Sequence, residues 1–169
     1  MFSKNNYATK AYVGMGSNVG DRAGNLLLAL RGMMEASLVV TRVSSIYETE
    51  PISKIGQPPY LNMIVEVGNP LPPPEQVMAR CLRIEYALGR TREVKNGPRT
   101  IDLDLLLYGE VESDTQFLRL PHPRMHERRF ILTGLAEIAP YLLHPVLNRT
   151  TRDLLESLED KSVVRTWTP

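Results

Sequence analysis

The stretch Gly97 to Gly109, GPRTIDLDLLLYG, holds two carboxylates, Asp102 and Asp104, inside what otherwise reads as a buried strand. Side chains of an extended chain alternate between faces, so Ile101, Leu103, Leu105 and Leu107 share one face and Asp102, Asp104 and Leu106 the other. Like charges on neighbouring same-face positions repel, and a folded chain keeps them only where water or a cation compensates the pair. The plainer reading is a solvated strand face. Against it stand the rigid Gly97-Pro98 turn, the permanent cation of Arg99 and the apolar run that follows, none of which suits an exposed edge.

Cations gather around this strand. Arg90, Arg92, Lys95 and Arg99 precede it with only Glu93 against them, and Arg119, Arg124, Arg128 and Arg129 follow it with only Glu127. The whole chain carries net charge +1, from 20 basic and 19 acidic residues. Two concentrated basic segments in a nearly neutral chain suggest a small polyanion such as a nucleotide triphosphate, and no nucleic-acid partner is expected. Arginine forks neutralise phosphates bidentately and stay charged at any working pH. Two carboxylates, completed by phosphate oxygens and water, meet the usual requirement of Mg²⁺.

Other phosphate-binding devices are missing. Gly14-Met-Gly16-Ser-Asn-Val19 has valine where a dinucleotide loop needs its third glycine, and no Gly-Lys-Ser/Thr occurs, so any triphosphate is held by side chains. His122 and His126 lie four apart with Pro123 between them, which suits a phosphate-contacting His122 on a loop better than a zinc site. Residue types alone thus lead to metal-assisted transfer from a nucleotide. A Mg²⁺-dependent phosphohydrolase and a non-catalytic nucleotide- or metal-binding module are the rivals.

Positioning these groups requires a scaffold, and 169 residues suit a single domain over 1–169, with 1–9 as a flexible extension. Lys10 to Met15 reads as a strand; a helix capped by Asp21 follows, with Leu26, Leu27, Leu30, Met33 and Met34 at helical spacing. Leu38 to Tyr47 and Tyr60 to Val67 read as strands, separated by a proline-rich connection from Glu48 to Pro59. A second helix opens at Glu75, stops at Gly89, and leads to the strand with the aspartates. A hairpin near Phe117 to Leu120 and helices over Phe130 to Ala139 and Thr151 to Leu158 complete the chain. The order strand, helix, strand, strand, helix, strand is a ferredoxin-like βαββαβ core of α+β class, with helices on one face of an antiparallel sheet. The lone Cys81 excludes an internal disulfide, and no apolar run has the length of a signal or a membrane span, so a cytoplasmic protein is expected.

Five ordered segments, GSNVGD, YLN, RIEYALGRTR, KNGPRTIDLDLL and LPHPRMHERRF, resemble the 6-hydroxymethyl-7,8-dihydropterin pyrophosphokinases of folate synthesis. The resemblance implies transfer of the β,γ-diphosphate of ATP to the pterin hydroxymethyl group with release of AMP. It also implies two Mg²⁺ ions on Asp102 and Asp104, and phosphate or nucleotide contacts from Glu85, Arg90, Arg92, Arg99, His122 and Arg128. Arg90 and Arg92 fall on a loop that closes over the site in that family. Thr49, Ile52, Tyr60, Asn62 and Phe130 match its pterin positions, with Tyr60 and Phe130 flanking the ring and Asn62 reading its amide edge. Asn96 departs from the aromatic residue the family commonly carries before Gly-Pro-Arg. The expected partners are the two small substrates, with the chain a monomer or, alternatively, a homodimer.

Overall fold

The computed structural model describes residues 9–51, 56–89 and 97–169. Ile52, Arg90, Arg92 and Asn96 lie outside the described residues. The elements begin with β1 (Ala11–Ser17), α1 (Arg22–Glu35), β2 (Val39–Val43), β3 (Tyr47–Thr49) and β4 (Tyr60–Gly68). They continue with α2 (Pro74–Ala87), β5 (Asp102–Tyr108), β6 (Ser113–Asp114), β7 (Arg119–Leu120), α3 (Arg129–Ile138), α4 (Thr151–Glu156) and β8 (Val164–Thr166).

One antiparallel sheet runs β5-β1-β4-β3-β8, with β2 also on β4, while β6 and β7 pair separately as a hairpin. The expected second strand is therefore two short ones, β2 and β3, laid in sequence along β4. Alternation along β4 explains its burial: Leu61, Met63, Val65 and Val67 join the core under α1 and α2, and Ile64 joins a second cluster on the opposite face.

Helix α1 is started by Asp21, whose Oδ1 accepts the Gly24 N–H at 2.9 Å. Its buried stripe is Leu26, Ala29 and Met33; Leu27 and Met34, expected among its apolar face, are exposed. Helix α2 buries Val77, Cys81 and Ile84 against the same sheet face, and Gly89 ends it at φ +77°, a conformation glycine takes without strain. At the last short helix the cap is Thr150, one residue before the expected Thr151, with its Oγ1 accepting the Asp153 N–H at 3.1 Å.

The two core helices, α1 and α2, share one face of the sheet as expected, and the additional helix α3 covers part of the other. Ile131, Leu135 and Ile138 pack with Tyr12, Ile64 and Leu106 on the face opposite α1 and α2. Gly134 permits this approach, because a Cβ there would collide with Ile64 Cγ1. Leu107 also belongs to this second cluster, not with Leu103 and Leu105. A register shift between Tyr12/Val13 and their β5 partners breaks the alternation and turns Leu107 to the α3 side. At this end of the sheet Glu66, 1 % exposed, is held by Lys10, Tyr12 and Thr41.

Candidate functional site

The face that α3 only partly covers is where the chemistry-bearing residues meet. On β1 this face carries Tyr12, Gly14 and Gly16, and register fixes their neighbours: Gly14 lies between Asp104 and Ile64, and Gly16 between Asp102 and Asn62. Strands lie about 4.8 Å apart, so two residues without side chains leave a trough between the β5 carboxylates and β4. A Cβ on Gly16 would come to 3.2 Å from Asn62 Oδ1 and 3.7 Å from Tyr60. This trough is the floor of a cavity of about 400 Å³, within the usual size range of small-molecule sites.

Around the floor stand Thr49, Glu50, Pro51, Gln57 and Tyr60 on one side and Arg99, Asp102 and Asp104 on the other, with Arg124, Arg128, Phe130 and Ile131 supplied by the segment entering α3. The structure thus brings Thr49, Tyr60, Asn62, Phe130, Arg99, Arg128, Asp102 and Asp104 to one cavity. Sequence reasoning gave Gln57 no role, weighed Gly14 and Gly16 only as a phosphate loop that fails, and named Arg124 only as one cation of a basic segment. The signal for the glycines was their two-residue spacing inside a strand, where glycine often marks close approach of a ligand.

The apolar slot is pre-oriented. Asn62, 6 % exposed, donates from Nδ2 to Thr49 Oγ1 at 2.8 Å, which fixes the side-chain amide with its Oδ1 toward Gly16. Thr49 is held by β3, which is in turn pinned by β8 through Thr49↔Val164.

The charged side is under tension. Burial, and then the charge of Asp102, push the Asp104 carboxyl up to about 7, against the opposing pull of Arg128. Arg99 Nη1 donates to Asp102 Oδ2 at 2.7 Å. Burial, and then Arg124, lower the Arg128 guanidinium from its ordinary value, and its buried Nε has no hydrogen-bond partner among the described residues. A half-desolvated cation with an unused donor beside a strained carboxylate pair fits an anionic ligand that arrives with a divalent cation. Among the described residues no group of three or more His, Cys, Asp or Glu forms; what Asp102 and Asp104 offer is carboxylate oxygen, a donor type that suits a hard cation.

His122 and Glu85 are not in the cavity lining. Burial, then Arg128, drive the His122 imidazole down to about 4. Its Nδ1 accepts the Arg124 N–H at 3.2 Å, so the neutral ring carries its proton on Nε2 and can donate there. Glu85 is 3 % exposed, which excludes a solvated helix face, and its Oε1 accepts the Leu103 N–H at 2.7 Å. It thereby satisfies a backbone donor of the edge strand between the two aspartates.

Sheet and cavity together describe a ferredoxin-like α+β protein whose cavity sets carboxylates and arginines on one bank and an apolar slot on the other. A sequence model of the family described as 7,8-dihydro-6-hydroxymethylpterin-pyrophosphokinase (HPPK) matches residues 12–140, and the chain belongs to this family. It is 42 % identical over 158 residues to the 2-amino-4-hydroxy-6-hydroxymethyldihydropteridine pyrophosphokinase of Bacillus subtilis, covering 93 % of this chain and 89 % of the relative. It is 39 % identical to the protein of the same name from Methylorubrum extorquens, covering 93 % of this chain and 98 % of that one. Among solved structures, a Plasmodium falciparum HPPK-DHPS with pterin and p-hydroxybenzoate superposes with a TM-score of 0.68 at 17 % identity, over 91 % of this chain and 44 % of that one. An HPPK-DHPS in complex with substrates gives 0.67 at 16 % identity, over 89 % and 43 %. The chain spans less than half the length of these two structures, and the likeness carries the fold alone. No described helix is long and apolar enough to cross a membrane.

Proposed function

We propose that the cavity floored by Gly14 and Gly16 is the reaction centre of this pyrophosphokinase. The chain transfers the diphosphoryl group of ATP to 6-hydroxymethyl-7,8-dihydropterin in folate synthesis. In that reaction the pterin hydroxyl oxygen bonds to the β-phosphorus, the bond from the β-phosphorus to the α–β bridging oxygen breaks, AMP departs, and the hydroxyl proton is lost. The observation that carries the assignment of the site is the pairing across the glycine trough: Asp102 and Asp104 on one bank, Asn62 and Thr49 on the other.

Asp102 and Asp104 would hold Mg²⁺, two ions in the reading by resemblance. Bound there, the metal neutralises the polyphosphate and polarises its oxygens. Arg99 and Arg128 fork onto phosphate oxygens, and His122 donates from Nε2 to another. Tyr60 and Phe130 flank the pterin plane while Asn62 reads its amide edge. The apolar bank of Tyr60, Ile64, Phe130 and Ile131 keeps water, a competing acceptor, from the diphosphoryl group. Arg90, Arg92 and Ile52 complete this assignment from sequence alone, as does the nucleotide role of Glu85. The 1–169 span is read as one catalytic domain, cytoplasmic, acting as a monomer or homodimer.

Asp102→Asn and Asp104→Asn test the site. Each keeps the shape of the side chain and removes its charge, so turnover should fall by about a thousandfold or more while circular dichroism stays native. Near wild-type rates in either variant at saturating Mg²⁺ would overturn the metal assignment.

A further inference from the structure

Asn18 has no part in the reaction as derived so far, yet it is 1 % exposed and uses its backbone N–H and both ends of its side-chain amide. Its N–H donates to the Arg99 carbonyl at 3.0 Å, and its Oδ1 accepts the Arg99 N–H at 2.7 Å. Its Nδ2 donates at 3.3 Å both to Gln57 Oε1 and to the Pro58 carbonyl. A single amide therefore joins the segment that leads into Asp102 to the segment that leads into Tyr60. These are opposite banks of the trough.

The two halves of the bridge are unequal. On the Arg99 side both bonds are backbone-paired and one is short. On the Gln57 side both are at the long end of the hydrogen-bond range, with room to tighten. Arg99 is also the residue that ligand binding must disturb: its guanidinium is tied to Asp102, and a metal-bound polyphosphate competes for both partners at once. Any shift of Arg99 is passed to Asn18, because both backbone polar groups of Arg99 are bonded to it. Only an amide side chain does this work in so short a reach, since aspartate lacks the donors and serine lacks the second one.

Resting on the functional reading above, we infer that Asn18 is a positioning residue that couples the two substrate ends, so that nucleotide on the Arg99 bank sets the Gln57–Pro58 segment for the pterin. Linkage makes the effect reciprocal: pterin raises nucleotide affinity by the same factor. Arg22 clips the same segment at a different point, through Glu48 Oε2 at 2.8 Å and the Pro59 carbonyl at 2.9 Å, without reaching Arg99. It serves as the control for mere looseness.

The test is a binding cycle by calorimetry on the full chain, with 6-hydroxymethyl-7,8-dihydropterin titrated with and without saturating α,β-methylene ATP and Mg²⁺. In the wild type the analogue should raise pterin affinity about fivefold or more. Asn18→Ala should bring that factor to within about twofold of one, and Gln57→Ala, which leaves the Pro58 acceptor, should lower it about threefold. Gln57→Glu retains an acceptor and should keep the wild-type factor, as should Arg22→Ala. An undiminished factor in Asn18→Ala overturns the inference, as does one in Gln57→Ala if Asn18→Ala does not fold. So does loss of the factor in Arg22→Ala, which would assign the effect to slackness of the segment. A wild type that binds both ligands without coupling overturns the inference alone, whereas one that binds neither overturns the functional reading beneath it.

Discussion

At the scale of single residues, burial first and neighbouring charge second move the titration of Asp104, His122 and Arg128 away from its ordinary range. His122 shows it most simply. With its folded pKa depressed to about 4 by burial and by Arg128, the ring is neutral throughout the physiological range, and the unfolded chain binds its proton first as pH falls. Stability from this group is therefore present above the unfolded value of about 6.5 and is lost progressively as pH drops toward the folded value. In the free protein the His122 imidazole resonances should not titrate between pH 8 and pH 5.5. A midpoint near 6.5 would contradict the burial argument. Adding a nucleotide triphosphate should move the titration upward, because phosphate charge favours the imidazolium. Asp102 and Asp104 were legible in the sequence because like charges two residues apart in a strand demand an explanation. Glu85 was named only through the resemblance, and its buried bond to β5 was not legible, because a helical glutamate at the end of an amphipathic pattern looks the same whether it meets water or reaches a strand edge.

At the scale of elements, the cavity exists because one strand omits side chains. Tyr12, Gly14 and Gly16 share a face of β1, and α3 fills only the Tyr12 end of it. Gly16→Val would fill the trough beside Asn62 and Tyr60. Overpacking of this kind costs about 1–3 kcal/mol where neighbours cannot move. The expected result is a pterin affinity lower by about tenfold or more, with nucleotide affinity changed much less; calorimetric titration of each ligand reads it. Equal losses for both ligands, or none, would mean that the trough does not hold the pterin. The sequence showed β1 as a strand from its alternation, and the βαββαβ order from the sequence of apolar periods. It hid the trough, because a residue that contributes by having no side chain leaves no pattern. It also hid the turn of Leu107 to the other face, since a bulge is a property of paired strands and not of either alone.

At the scale of the whole molecule, a ferredoxin-like sheet is extended at one edge by the last strand of the chain. β8 extends the sheet past β3 and Trp167 N donates to the Ile46 carbonyl at 2.8 Å, so the terminus steadies the strand that carries Thr49. Neither this strand nor the side on which α3 packs could be read locally, because both depend on long-range pairing that three-residue strands do not announce. The central claim, that this scaffold moves two phosphates together from ATP to a pterin, is tested most directly by following labelled phosphates. The chain would be incubated with Mg²⁺, 6-hydroxymethyl-7,8-dihydropterin and ATP labelled separately at the β- and γ-positions. The account predicts AMP as the nucleotide product, with both labels recovered in the pterin diphosphate. Recovery of ADP with the γ-label alone transferred, or nucleotide turnover that proceeds without the pterin, would contradict it.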